Sequence, residues 1–190
     1  MLANRDLDLA AAAGQGSSDV DRDRRAVAQE PTDAIGTRLE LVLRGHEDEF
    51  VARTEGPRAV VQVGARDVDQ GERAHAQEWG IRVFTMREID ERGMRAVLQE
   101  AIELVSDGTT GIHVSLDLDF VDPQEAPGVG TPVRGGATYR EAHLAMEMLH
   151  DTKRIVSMDL VEVNPVLDRF NHTAELAVGL VASGFGQRIL

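Results

Sequence analysis

Asp117 and Asp119, in Ser115-Leu116-Asp117-Leu118-Asp119-Phe120-Val121-Asp122-Pro123, are the side chains best placed by type and spacing to do chemistry. Residues two apart on a strand point to the same face, so this spacing presents two carboxylates to one region of space. Close carboxylates repel unless a cation sits between them, and a divalent metal is the simplest such cation. Glu162, in Met158-Asp159-Leu160-Val161-Glu162-Val163-Asn164-Pro165, follows a second apolar run and precedes a forced loop. Charge at the carboxyl end of a parallel strand ordinarily serves a ligand. The ordinary alternative at all three positions is a polar strand end, and Asp122-Pro123 reads as turn chemistry of that kind.

The elements that must position these groups follow from periodicity. Residues 112–118 and 155–161 read as buried strands, with shorter strands at 59–63 and 81–85. Residues 71–79 have the composition and length of a crossover helix. Met94, Val97, Leu98, Ala101, Ile102 and Val105 recur three and four apart and line one helix face. Residues 139–149 form the next amphipathic helix, and 174–185 a final apolar helix ended by Gly184 and Gly186. Leu39, Val42, Leu43, Phe50 and Val51 suggest a further helix over 39–51 with a break near Gly45. Strand and helix alternate, so the expected fold is a three-layer α/β sandwich with a mainly parallel sheet. Residues 1–35, rich in Asp, Arg, Ala, Gly and Ser, read as a disordered or unrelated leader, and 36–190 as the folded domain.

The words around the carboxylates resemble the second half of the arginases, members of the ureohydrolase family, of the type found in bacilli. The Ser115–Pro123 word is followed by Ala126-Pro127-Gly128-Val129-Gly130-Thr131-Pro132-Val133-Arg134-Gly135-Gly136, by Thr138-Tyr139-Arg140-Glu141 and by the word around Glu162. Val63-Gly64-Ala65-Arg66-Asp67-Val68-Asp69-Gln70-Gly71-Glu72 and Phe84-Thr85-Met86-Arg87-Glu88-Ile89-Asp90 extend the likeness upstream; Asn171-His172-Thr173-Ala174-Glu175 extends it downstream. The resemblance implies manganese-dependent hydrolysis of L-arginine to urea and ornithine, with Asp117 and Asp119 as metal ligands. It implies that Glu162 acts in catalysis and pairs with the substrate guanidinium, and that Asp69 and Glu72 face the substrate α-ammonium. Thr131 is then expected to brace Glu162, with Gly128 and Gly130 letting the loop bend, and Asp90 and Arg140 to form a subunit contact in a homo-oligomer.

Two upstream metal-binding words of that family, Gly-Gly-Asp-His and Asp-Ala-His-x-Asp, do not occur in this sequence. Two of the family's six metal ligands are therefore matched, and Ile35 falls where its active-site histidine is expected. The expected fold thus lacks the family's first strands. The resulting expectation is weak activity or none for this chain, with another ureohydrolase (an agmatinase or guanidino-acid hydrolase) or a non-catalytic assembly subunit as rivals. His113 reads as a core or supporting residue, and His172 as part of a helix start.

Composition narrows the partners. The 190-residue chain carries a formal charge of −13, which disfavours nucleic acid and tolerates a cationic substrate. It has no cysteine, so any metal must take oxygen or imidazole ligands. No apolar stretch approaches the roughly 20 residues that span a bilayer, and the start lacks a signal core, so no membrane partner and a cytoplasmic location are expected.

Overall fold

The computed structural model describes residues 39–44 and 60–188; the expectations for residues 1–35, for Ile35 and for 45–51 lie outside them. The strands are β1 (Leu39–Arg44), β2 (Val61–Ala65), β3 (Arg82–Thr85), β4 (Gly111–Asp117) and β5 (Ile155–Val161), in one sheet ordered β3-β2-β1-β4-β5. The helices are α1 (Gln70–Glu78), α2 (Met86–Arg92), α3 (Met94–Ser106), α4 (Tyr139–Asp151) and α5 (His172–Gly184).

β1 corrects the helix expected over 39–51. Leu39-Glu40-Leu41-Val42-Leu43-Arg44 alternates apolar residues at 39, 41 and 43, and Val42 alone creates the helical spacing. The segment pairs antiparallel on both sides, Leu39 opposite Val63 of β2 and Leu39 to Arg44 opposite Leu116 to Gly111 of β4. A central strand satisfies its backbone groups on both edges, which overrides a marginal helical preference. The outer ladders, β2 with β3 and β4 with β5, are parallel as expected. The α/β reading with a mainly parallel sheet therefore holds: four of the five described strands run the same way, and β1 alone, at the centre, runs against them.

Local signals place the helices. Capping boxes start three of them: Asp69 with Glu72 at α1, Thr85 with Glu88 at α2, and Thr138 with Glu141 at α4. Each satisfies two otherwise unpaired backbone N–H groups and contributes about 1 kcal/mol. The Thr85-x-x-Glu88 box was the legible signal for α2, an element the apolar spacing does not reveal. On α3 all six residues of the expected apolar face are buried. They join Val61 and Val63 of β2, Ile112, Val114 and Leu116 of β4, and Leu149 and Leu180 of the last two helices in one core.

The alternate residues of β4 and their neighbours on β5 make the other face: His113, Ser115, Asp117, Ser157, Asp159 and Val161, all half-buried or exposed. His113 bonds the Ser157 hydroxyl through Nδ1 at 2.8 Å, and its Nε2 lies 3.5 Å from Asp159. It is a supporting residue on that face rather than part of the apolar core.

His143 of α4 is buried against α5, with Nδ1 2.9 Å from the Ser183 hydroxyl and its ring against Gly179. Its ring also packs 4.3 Å from that of Tyr139. Burial holds the imidazole below its ordinary pKa; Arg140 acts in the same direction and Glu147 against it. A histidine depressed in the folded state contributes stability that is complete above its unfolded pKa, about 6.5, and is lost as pH falls through the folded value. Below pH 6.5 the melting temperature of the wild-type chain should therefore fall more steeply than that of His143→Gln. Parallel melting-temperature curves for the two proteins would contradict this.

Candidate metal and guanidinium site

β4 stops at Asp117, because the chain turns there into a single 3-10 turn, Leu118–Phe120. Asp117 Oδ1 accepts the Asp119 backbone N–H at 2.7 Å and caps that turn. Asp117 and Asp119 are thus tied together through a capped turn, and not by the alternation of a single strand as their spacing suggests. Leu118 and Phe120, flanking Asp119, are fully buried and fix the turn to the core.

Asp119 is only 2% exposed. Its Oδ2 accepts a short hydrogen bond from the Thr131 hydroxyl, while Oδ1 is buried with no hydrogen-bond partner among the described residues. Burial raises its pKa, and the Thr131 bonds and the Arg66 charge oppose that rise without cancelling it. A buried carboxylate oxygen lacking a donor is an expensive feature in a fold unless a cation completes it. The hydroxyl expected to brace Glu162 is therefore committed to Asp119, a correction to the sequence reading of Thr131.

The residue next to Thr131 meets Glu162 instead. A Cβ on Gly130 would lie 2.9 Å from Glu162 Oε2, and a Cβ on Gly128 would lie 2.4 Å from Asp168 Cβ. Neither glycine has a positive φ; they permit close approach of the two loops rather than a bend. Val129 bridges to Val163, and the Asn164 N–H donates to Gly128 O at 2.8 Å. Glu162 itself is exposed and sits at φ +67°, a conformation costing a non-glycine residue about 1–2 kcal/mol.

Asp69 ends the loop after β2 and, with Glu72 in the first turn of α1, caps that helix: Asp69 Oδ1 accepts the Glu72 N–H at 2.8 Å, and Glu72 Oε2 accepts the Asp69 N–H at 3.0 Å. Turn chemistry accounts for these contacts. Asp122 anchors the neighbouring loop by accepting the N–H groups of Gln124, Gly135 and Gly136. Burial alone would raise its pKa, but these donors and the Arg66 charge hold it below the usual carboxylate range. Asp90 is exposed on α2, and Arg140 lies 3.6 Å from Glu147 within α4.

Four supporting residues carried no assigned role in the sequence. Gly64, at φ +88°, makes a bulge in β2 against which the Phe120 ring packs; its Cβ would lie 2.3 Å from that ring. Arg66, just beyond, donates to Asp119 O at 2.6 Å, Phe120 O at 3.2 Å and Val133 O at 2.7 Å. Burial lowers its pKa despite nearby Asp122 and Asp119. Asp168 accepts the Thr173 and Ala174 N–H groups at the start of α5, and the Thr173 hydroxyl accepts the Gly128 N–H at 2.7 Å. His172 opens α5, as expected. An arginine directly after a strand whose last two residues are Gly64 and Ala65 was the available clue for Arg66.

As metal donors, Asp117 and Asp119 fit a hard divalent cation in charge and ligand type. Among the described residues no group of three His, Asp or Glu side chains converges to complete a site. The same residues can form the carboxylate side of a cation site, and Glu162 can receive a planar cationic group.

The arginase family model matches residues 42–186. The arginase of Brevibacillus brevis is 56% identical over 131 residues, which span 69% of this chain and 44% of that protein. The crystal structure of arginase from Bacillus subtilis superposes with a TM-score of 0.68 at 53% identity, covering 70% of this chain and 46% of that one. A formimidoylglutamase structure from Bacillus subtilis, at 28% identity and a TM-score of 0.63, shares the fold over 65% of this chain and 39% of its own. The chain spans about half the length of the curated relatives it matches. Matched over residues 42–186, the chain belongs to the arginase family.

Proposed function

We propose that the chain carries the carboxylate and guanidinium half of an arginase-type site, directed at L-arginine and using manganese. The observation that carries this reading is Asp119: a buried carboxylate, oriented by Thr131 and Asp117, whose Oδ1 has no hydrogen-bond partner among the described residues. When bound, the metal supplies an acidified water for attack on the guanidinium carbon. Glu162 holds the guanidinium through a charge-assisted, bidentate pairing, and the loop of Gly130 leaves room for that carboxylate. Asp69 and Glu72, fixed by mutual capping, offer negative charge to the α-ammonium. We assign the chain a cytoplasmic location and a homo-oligomeric state in which Asp90 and Arg140 lie at the subunit contact. Among the described residues no helix is long and apolar enough to cross a membrane.

Two carboxylates cannot by themselves impose the fixed geometry of a binuclear centre. Activity of the chain alone is therefore expected to be weak or absent, and the same incompleteness favours a second reading as a non-catalytic assembly subunit. Urea release measured side by side with arginine and agmatine in manganese discriminates among these. Slow release favouring arginine supports the arginase reading, and preference for agmatine would shift it to another ureohydrolase. No urea from either, combined with no manganese binding, would leave the non-catalytic subunit.

A further inference from the structure

We propose that Arg66 is the positioning residue of the cation site, holding Asp119 and the loop of Thr131 in one arrangement; this rests on the reading of the Asp117–Asp119 turn as a cation site. The last carbonyls of a helical turn have no partner within it. Arg66 donates to Asp119 O through Nη2 and to Phe120 O through Nη1, the latter carbonyl also accepting the Ala137 N–H at 3.0 Å. The same guanidinium closes on Val133 O through Nε at 3.1 Å and Nη2 at 2.7 Å. Val133 lies two residues beyond Thr131, whose hydroxyl orients the Asp119 carboxylate.

Asp119 is thus set from two directions, by its own backbone and by Thr131, and both supports hang on one planar fork. A lysine ammonium lacks the rigid set of donors needed to meet three carbonyls in two segments. The Gly64 bulge, filled by the Phe120 ring, presses the end of β2 against the turn and brings Arg66 within reach. Asp122 also pins the loop, but at Gly135 and Gly136 and without contact to Asp119.

The test compares the wild-type chain with Arg66→Met and Arg66→Lys by two readouts, amide hydrogen exchange without metal and manganese affinity by electron paramagnetic resonance. In Arg66→Met, exchange should accelerate about tenfold or more in the segments around Asp119–Val121 and Thr131–Val133 while α3 keeps its protection. Manganese should bind about 10- to 100-fold more weakly, the range found when an outer-shell support is lost. Arg66→Lys should fall between the two proteins. Unchanged exchange in both segments, or loosened segments with wild-type manganese affinity, would overturn the proposal. Should Arg66→Met fail to fold, wild-type exchange and affinity in Arg66→Lys would overturn it. Absence of manganese binding by the wild-type chain would remove the cation reading instead, and the exchange pattern would still decide whether Arg66 positions the turn.

Discussion

Gly64→Ala should be among the most damaging single substitutions in the described fold. Two costs coincide there. At φ +88° a side chain is strained by about 1–2 kcal/mol, and the new methyl would stand 2.3 Å from the Phe120 ring. Overpacking of a filled core adds about 1–3 kcal/mol. Together these lower the melting temperature by roughly 5–15 °C for a protein of this size. The ring is itself fully buried, so it has no solvent-side rotamer to escape into. A double-mutant cycle with Phe120→Leu separates the terms, since the steric part should couple to Phe120 and the backbone part should not. A melting temperature within a degree of wild type for Gly64→Ala would contradict the described bulge.

Asp119→Asn is expected to change stability and binding in opposite directions. The amide keeps an acceptor for Thr131 but removes a buried charge whose Oδ1 has no donor among the described residues, so the metal-free variant should melt no lower than wild type. Its response to manganese should vanish. A ligand at a hundredfold excess over its dissociation constant adds about 2.7 kcal/mol to a protein that binds it only when folded. At about 2–4 °C per kcal/mol, the wild-type chain should gain several degrees on saturation and the variant none. Equal gains in the two proteins would place the cation elsewhere.

The contrast between strands β4 and β1 shows what was legible in the sequence. Residues 112–118 alternate apolar and polar, and 155–161 are broken only by Ser157 and Asp159; they appear as β4 and β5 within a residue of the expected limits. α3 was equally plain, because six residues at helical spacing leave no other period. β1 is short, and a single valine off the alternation makes its pattern ambiguous; its state is decided by two neighbouring strands remote in sequence.

The site follows the same division. The types and order of Asp117, Asp119 and Glu162 pointed to cation chemistry, yet their geometry depends on tertiary contacts that spacing does not encode. The 3-10 turn appears because Asp117 caps it, and Thr131 turns to Asp119 because Gly130, not Thr131, lies under Glu162. Arg66 acts across more than fifty residues of sequence, through backbone carbonyls that carry no residue-type signal at all.

Titration of the metal-free wild-type chain with manganese, followed by electron paramagnetic resonance, tests the central claim most directly. One loosely held ion per chain, displaced by magnesium or calcium and lost in Asp119→Asn, is the result expected of two carboxylates on a capped turn. No bound ion, or two tightly held and magnetically coupled ions, would contradict it.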